Sequence, residues 1–190
     1  MRKPTAACPR AVVLIACVLC LVCLAAVRPA LAAEADKKPK EAKCEGFRDL
    51  DWGQKLADVR GMQFTYTHKG FDLHTRKTDH LKIGAAELHG IVYSFYKKQF
   101  VRVTITITSV YDMDTVKKIL VAKYGEPKKA KIEHGEPTTW EWRPKDARIT
   151  LTEGRKYQHG TVRPVLKMEY VPLLEQKKKD EQVGGSEDDL

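Results

Sequence analysis

The chain has 190 residues and a formal net charge of +9, but residues 1–32 hold Arg2, Lys3, Arg10 and Arg28 and no acid, so the remainder carries only +5. Its Lys and Arg are scattered among acids and are not interleaved with aromatics, which excludes a nucleic-acid platform and leaves a solvated, weakly basic surface. Cys8, Cys17, Cys20 and Cys23 also lie in residues 1–32; Cys44 is the one cysteine outside them, so no disulfide framework is expected and the fold must rest on its hydrophobic core.

The N-terminus reads as a signal peptide over residues 1–32. Basic residues precede an apolar run from Ala11 to Val27, and Ala30-Leu31-Ala32 places small residues for cleavage after Ala32. Two alternatives stay open: an uncleaved N-terminal membrane anchor, since the run reaches the lower limit for spanning a bilayer, and a lipoprotein acylated at Cys17 within Leu14-Ile15-Ala16-Cys17. The signal peptide implies a periplasmic or secreted protein, with membrane contact only if the N-terminal segment is retained.

Residues 33–46 are charged and Lys-rich and read as a flexible leader, in which Cys44 is expected as an incidental exposed free thiol. The folded unit is expected over residues 47–174. A short helix is expected over Gln54–Arg60, with Leu56 and Val59 on its buried side, and strands over Met62–Thr67 and Phe71–Thr75 around Lys69-Gly70. Gly90–Tyr96 and Phe100–Thr108 form a hairpin across Lys97-Lys98-Gln99. In the second strand Val101, Val103, Ile105 and Ile107 alternate with Arg102, Thr104, Thr106 and Thr108.

Asp112–Tyr124 reads as a helix, capped by Asp112 or Asp114, with Met113, Val116, Leu120 and Tyr124 as its apolar stripe and Gly125 and Pro127 as its stop. Short strands follow at Lys131–His134, Thr138–Arg143, Ala147–Glu153 and Val162–Val171. Residues 175–190 read as a disordered charged tail. Without parallel βαβ alternation, the expected class is α+β: an antiparallel sheet with two helices on one face, built either as one meander or as two α-β repeats.

Phe47-Arg48-Asp49-Leu50-Asp51-Trp52-Gly53, Phe95-Tyr96-Lys97 and Tyr124-Gly125-Glu126-Pro127 resemble, over about residues 47–172, small uncharacterised secreted proteins and lipoproteins of Gram-negative bacteria. More distantly, a helix closing on Gly-x-Pro before a meander is similar to accessory lipoproteins of outer-membrane barrel assembly and to β-lactamase-inhibitor-like domains. That resemblance implies a binding module and not an enzyme.

Chemistry-bearing residues are few. His68, His74 and His80 recur every six residues with Asp72 and Asp79 between them, but on one strand they would span about 40 Å, too far for one metal ion. No Gly-x-Ser-x-Gly elbow, phosphate loop or dinucleotide fingerprint occurs, so no catalytic residue and no cofactor is assigned. The expected contact residues are Tyr96, which points opposite Tyr93 and Phe95, together with Lys97, Lys98 and Arg102 around the hairpin. The leading reading is a secreted, periplasmic, non-enzymatic module that binds an envelope protein or an anionic envelope component. The alternatives are a soluble binder of a small or anionic ligand, and a hydrolase in which His68, His74, His80 or His134 meets a Ser or an acid. Oligomeric state is left open.

Overall fold

A computed structural model describes residues 43–129, 137–157 and 160–184, which all belong to one compact unit. The signal peptide with its cleavage after Ala32, the leader up to residue 42, the strand expected at Lys131–His134 and the tail beyond Gly184 lie outside the described residues.

The fold is α+β and antiparallel, as expected. Strands β1 (Gly46–Phe47) and β2 (Leu50–Asp51) form a small ribbon, followed by a 3-10 turn at Leu56–Asp58. The main sheet is built from β3 (Met62–His68), β4 (Phe71–Arg76), β5 (Lys82–Ile83), β6 (Ala86–Tyr96) and β7 (Gln99–Ile107), then helix α1 (Val110–Tyr124), then β8 (Lys128–Lys129), β9 (Thr139–Trp142) and β10 (Ala147–Thr152). A two-stranded excursion, β11 (Arg155–Tyr157) and β12 (Gly160–Val162), precedes β13 (Val165–Tyr170), which runs directly into helix α2 (Val171–Gly184). The order across the sheet is β3-β4-β6-β7-β13-β10-β9-β8, with β5 paired to β6. The chain therefore crosses over through α1 to the far edge and returns inward, inserting β13 between β7 and β10. Each half is a helical element followed by a run of strands, the 3-10 turn before β3, β4, β6 and β7 and α1 before β8, β9, β10 and β13, and the two runs join through β7 and β13, so the two expected α-β units form one continuous sheet.

The alternation in β7 sets the layering. Val103, Ile105 and Ile107 are fully buried in the main core with Ile149 and Leu151 of β10, Leu166 and Met168 of β13, and Met113, Val116 and Leu120 of α1. The other side chains of the same strands, Arg102, Thr104 and Thr106, then share the opposite face with Arg148 and Glu169. At the hairpin end the register shifts, pairing Ser94 with Arg102 but Phe95 with Phe100, so Val101 is the extra residue of a β-bulge. Val101 consequently joins a second cluster with Phe71, Tyr96 and Leu173 of α2.

Four expectations change. The helix over Gln54–Arg60 contracts to the 3-10 turn, although Leu56 and Val59 still pack on the core. The cap of α1 is Ser109, whose Oγ accepts from the backbone N–H of Asp112; the Asp112 carboxylate instead accepts from the backbone N–H of Glu87, 2.9 Å away. The charged tail is helical as far as Gly184, and this second helix lies against the Arg102 and Arg148 face, not on the face that α1 covers. The leader is ordered from Lys43, and Cys44 is a core residue, 4% exposed, rather than a surface thiol. The last two share a cause: segments with few large apolar residues are ordered by contacts that periodicity does not record. Cys44 is fixed beside Trp52, whose indole N–H donates to the Cys44 carbonyl at 2.7 Å, and Trp52 itself stacks on Phe100 and Tyr170.

Candidate functional site

The hairpin at Lys97-Lys98 is a two-residue turn with both residues in the left-handed region, at φ 47° and 62°, the geometry that matches the twist of paired strands but disfavours residues with a Cβ. Its lysines are tied down by acids. Lys98 Nζ meets Asp72 at 2.7 Å and Lys97 Nζ meets Asp180 of α2 at 2.7 Å. Hydrogen bonding to Lys98, and then to Thr67, holds the Asp72 carboxyl below its ordinary range, and Lys97 with Tyr96 does the same for Asp180. Tyr96 does point away from Phe95, but it is 9% exposed, lies under α2, and donates its hydroxyl to Asp180. Of the expected contact residues, Tyr96 and Lys97 are therefore spent on fastening α2 to the hairpin, and Lys98 on fastening β4 to it.

Arg102 belongs to a different constellation. The register places Arg102 of β7 opposite Glu169 of β13, and Glu169 opposite Arg148 of β10, so the three form a row across adjacent strands. Glu169 is 3% exposed. Arg102 Nε donates to one of its oxygens at 2.7 Å, and Arg148 donates to the other from Nε at 2.9 Å and from Nη2 at 2.7 Å. Arg102 also lies flat against Phe71, its guanidinium carbon 4.6 Å from the ring centre. Arg143, just beyond β9, extends the basic row and pairs with Glu141 at 2.5 Å.

Over this row lies α2, leaving a groove of about 380 Å³ lined by Arg102, Arg143, Arg148 and Phe71 on the sheet side and by Val171, Leu174, Glu175, Lys177, Lys178 and Glu181 on the helix side. Lys177 is buried along its stem, with Nζ 4.9 Å from the Phe71 ring centre and bonded to Glu181. Charge balance at the floor is uneven: two guanidinium groups share one carboxylate, which leaves a full positive charge facing a partly apolar cavity.

Two other cavities have different linings. One, of about 410 Å³ beside Trp52, mixes Lys43, Glu45, Asp51, Lys145 and Asp146, so no single charge dominates. The other, of about 310 Å³, is a mainly apolar seam between α1 and the β1–β2 ribbon.

The described histidines do not converge on a metal site. Among the described residues no group of three His, Cys, Asp or Glu side chains could hold a metal ion, which removes His68, His74 and His80 as a ligand set. His68 stands edge-on to Tyr66, and His74 is enclosed edge-on between Phe64 and Phe95 with neither ring nitrogen hydrogen-bonded. Burial pushes the His74 imidazole below its ordinary pKa, so it stays neutral. The remaining histidine of the hydrolase reading, His134, is outside the described residues. Asp49 and Asp79, in contrast, have structural partners: Arg76 holds Asp49 at 2.9 Å, and Asp79 accepts from the Tyr93 hydroxyl at 2.8 Å and from Arg48 at 3.0 Å.

Sequence reasoning singled out Arg102 but missed Arg148, Glu169, Arg143 and α2. The signal for Arg148 was available in the strand alternation of Arg148, Thr150 and Thr152, which matches Arg102, Thr104 and Thr106. What joins these rows is the insertion of β13 between their strands, and no local pattern encodes it.

No protein-family model matches the chain, and no curated protein matches it. Among solved structures it is similar to a DUF4309 family protein (YjgB) from Bacillus subtilis, at 12% sequence identity and a TM-score of 0.32, over 56% of this chain and 68% of that one. Among the described residues no helix is long and apolar enough to cross a membrane.

Proposed function

We propose that this protein is a secreted, periplasmic, non-enzymatic binding module of the cell envelope whose contact site is the groove between α2 and the sheet, and that the group it takes is an anion. The observation that carries this reading is the Arg102–Glu169–Arg148 row. One carboxylate positions two guanidinium groups, so their remaining N–H donors are preorganised and carry net positive charge into a cavity. Recognition is the chemistry this arrangement supports, since the guanidinium groups of Arg102 and Arg148 are held in place by Glu169 at the groove floor. The charge that the sequence placed on the hairpin thus moves to the α2 side of the same sheet, with Arg102 common to both.

The test is thermal stabilisation by a panel of small carboxylates, phosphates and sulfated sugars at low and high salt. Stabilisation that fades with salt and disappears in the Arg102→Gln/Arg148→Gln double variant is expected. No stabilisation by any anion at low salt would overturn the reading.

A further inference from the structure

The chemical class of the anion follows from the charges and walls of the groove, given the reading that the groove binds an anion at all. Glu169 occupies Nε of Arg102 and both Nε and Nη2 of Arg148. Among the described residues, the two Nη groups of Arg102 and Nη1 of Arg148 make no hydrogen bond. The floor therefore lacks one negative charge and has a planar set of donors left over. A second carboxylate would complete a cluster of two guanidinium groups and two carboxylates, whereas a phosphate dianion would leave an excess negative charge beside buried Glu169.

The walls add a second requirement. Val171 and Leu174, both half-buried, line the groove next to these donors, while Phe71 is buried against the Arg102 guanidinium and the Lys177 ammonium, whose charge is already neutralised by Glu181. Lys178 and Glu175 on the helix rim offset one another. A bare anion would leave this apolar wall facing water, and a bulky polyanion would meet both rim acids, Glu175 and Glu181. We infer that the groove is a site for a monocarboxylate carrying a small branched apolar group, with the carboxylate on Arg102 and Arg148 and the apolar part against Val171 and Leu174. Such a group could be presented by a free branched acid or by the C-terminal residue of a peptide; both share this chemistry.

Calorimetric titration of the full protein with acetate, 4-methylpentanoate, N-acetyl-leucine and inorganic phosphate tests this. The four-carbon extension of 4-methylpentanoate over acetate is expected to tighten binding by about tenfold or more, since burying even part of it removes apolar surface from water. Phosphate is expected to bind more weakly than 4-methylpentanoate, and Leu174→Ser to erase the advantage over acetate. N-acetyl-leucine binding at least as tightly as 4-methylpentanoate assigns the site to a peptide C-terminus, and weaker binding assigns it to the free acid. In Glu169→Gln the preference should reverse toward phosphate; should that variant not fold, Leu174→Ser alone decides. Phosphate binding as tightly as 4-methylpentanoate, with loss in Arg102→Gln, would overturn the carboxylate assignment, and acetate binding as tightly would overturn the apolar requirement, each leaving the anion groove standing. No binding by any of the four would overturn both.

Discussion

Arg102 and Glu169 are cross-strand partners on β7 and β13, joined at 2.7 Å, and the acid is buried while the arginine reaches the groove. A carboxylate withdrawn from water must keep its ionic partners, because an uncompensated buried charge is far more costly than an unmade neutral contact. Removing one arginine leaves Glu169 with the other, so Arg102→Gln or Arg148→Gln should each cost about 2 kcal/mol. The double variant should cost clearly more than the two single losses added together. Urea denaturation of the four proteins checks this, and strict additivity would show that the acid is better solvated than its burial implies.

His74 predicts an acid-side loss of stability. Its imidazole is buried between Phe64 and Phe95 and its pKa is lowered, first by desolvation and also by Lys98, against the pull of Asp72. The sign follows from proton uptake. Below the ordinary value of 6.5 the unfolded chain binds a proton at His74 that the folded chain does not, so this contribution is complete above 6.5 and is lost as pH falls, by about 1.4 kcal/mol per pH unit until the folded value is reached. Asp49 and Asp72, whose pKa values are also lowered, lose stability in the same direction but below the carboxylate range near 3.8. Chemical denaturation at pH 7 and pH 5 therefore brackets the His74 loss, and His74→Leu should reduce the difference between the two.

Helix α1 begins at Ser109, whose hydroxyl accepts from the Asp112 N–H at 3.2 Å and donates to the Asp112 carboxylate at 2.5 Å. Ser109→Ala should cost about 1 kcal/mol by removing the cap. It should also raise the Asp112 pKa toward its ordinary value, since hydrogen bonding from Ser109 is the largest cause of its lowering. Carboxyl NMR titration reads the second effect directly.

The thiol of Cys44 lies in the main core, near Tyr124, whose hydroxyl is pushed well above its ordinary pKa by burial and by the thiol. Labelling by a thiol reagent should be slow in the native protein and rapid in denaturant. Rapid native labelling would place residues 43–46 outside the fold.

The legible parts of this fold are those whose signal is local. Alternation located β7, and the Met113, Val116 and Leu120 stripe with its stop at Gly125 located α1. Helix α2 was illegible because it contributes little apolar surface. Leu173 is its buried anchor, and Lys177, buried with its ammonium over Phe71, reads as a solvated charge in sequence. Tyr96 and Lys97 were expected to be available for contact because the acid that accepts from Tyr96 and neutralises Lys97, Asp180, lies more than eighty residues away in the segment read as disordered, and Lys98 because its acid, Asp72, is brought to it only by the pairing of β4 with β6. The groove was visible only as Arg102, because Arg148 and Glu169 become its neighbours through the return of β13 to the centre of the sheet.

The central claim, that Arg102 and Arg148 receive an anion, is tested most directly by low-temperature NMR of the arginine guanidinium Nη–Hη groups during titration with 4-methylpentanoate, since Glu169 already occupies both Nε groups. The account predicts saturable shifts of the Arg102 and Arg148 signals, with the Arg48 and Arg76 signals unmoved because those residues do not line the groove. Unmoved Arg102 and Arg148 signals, or shifts spread evenly over all arginines, would contradict it.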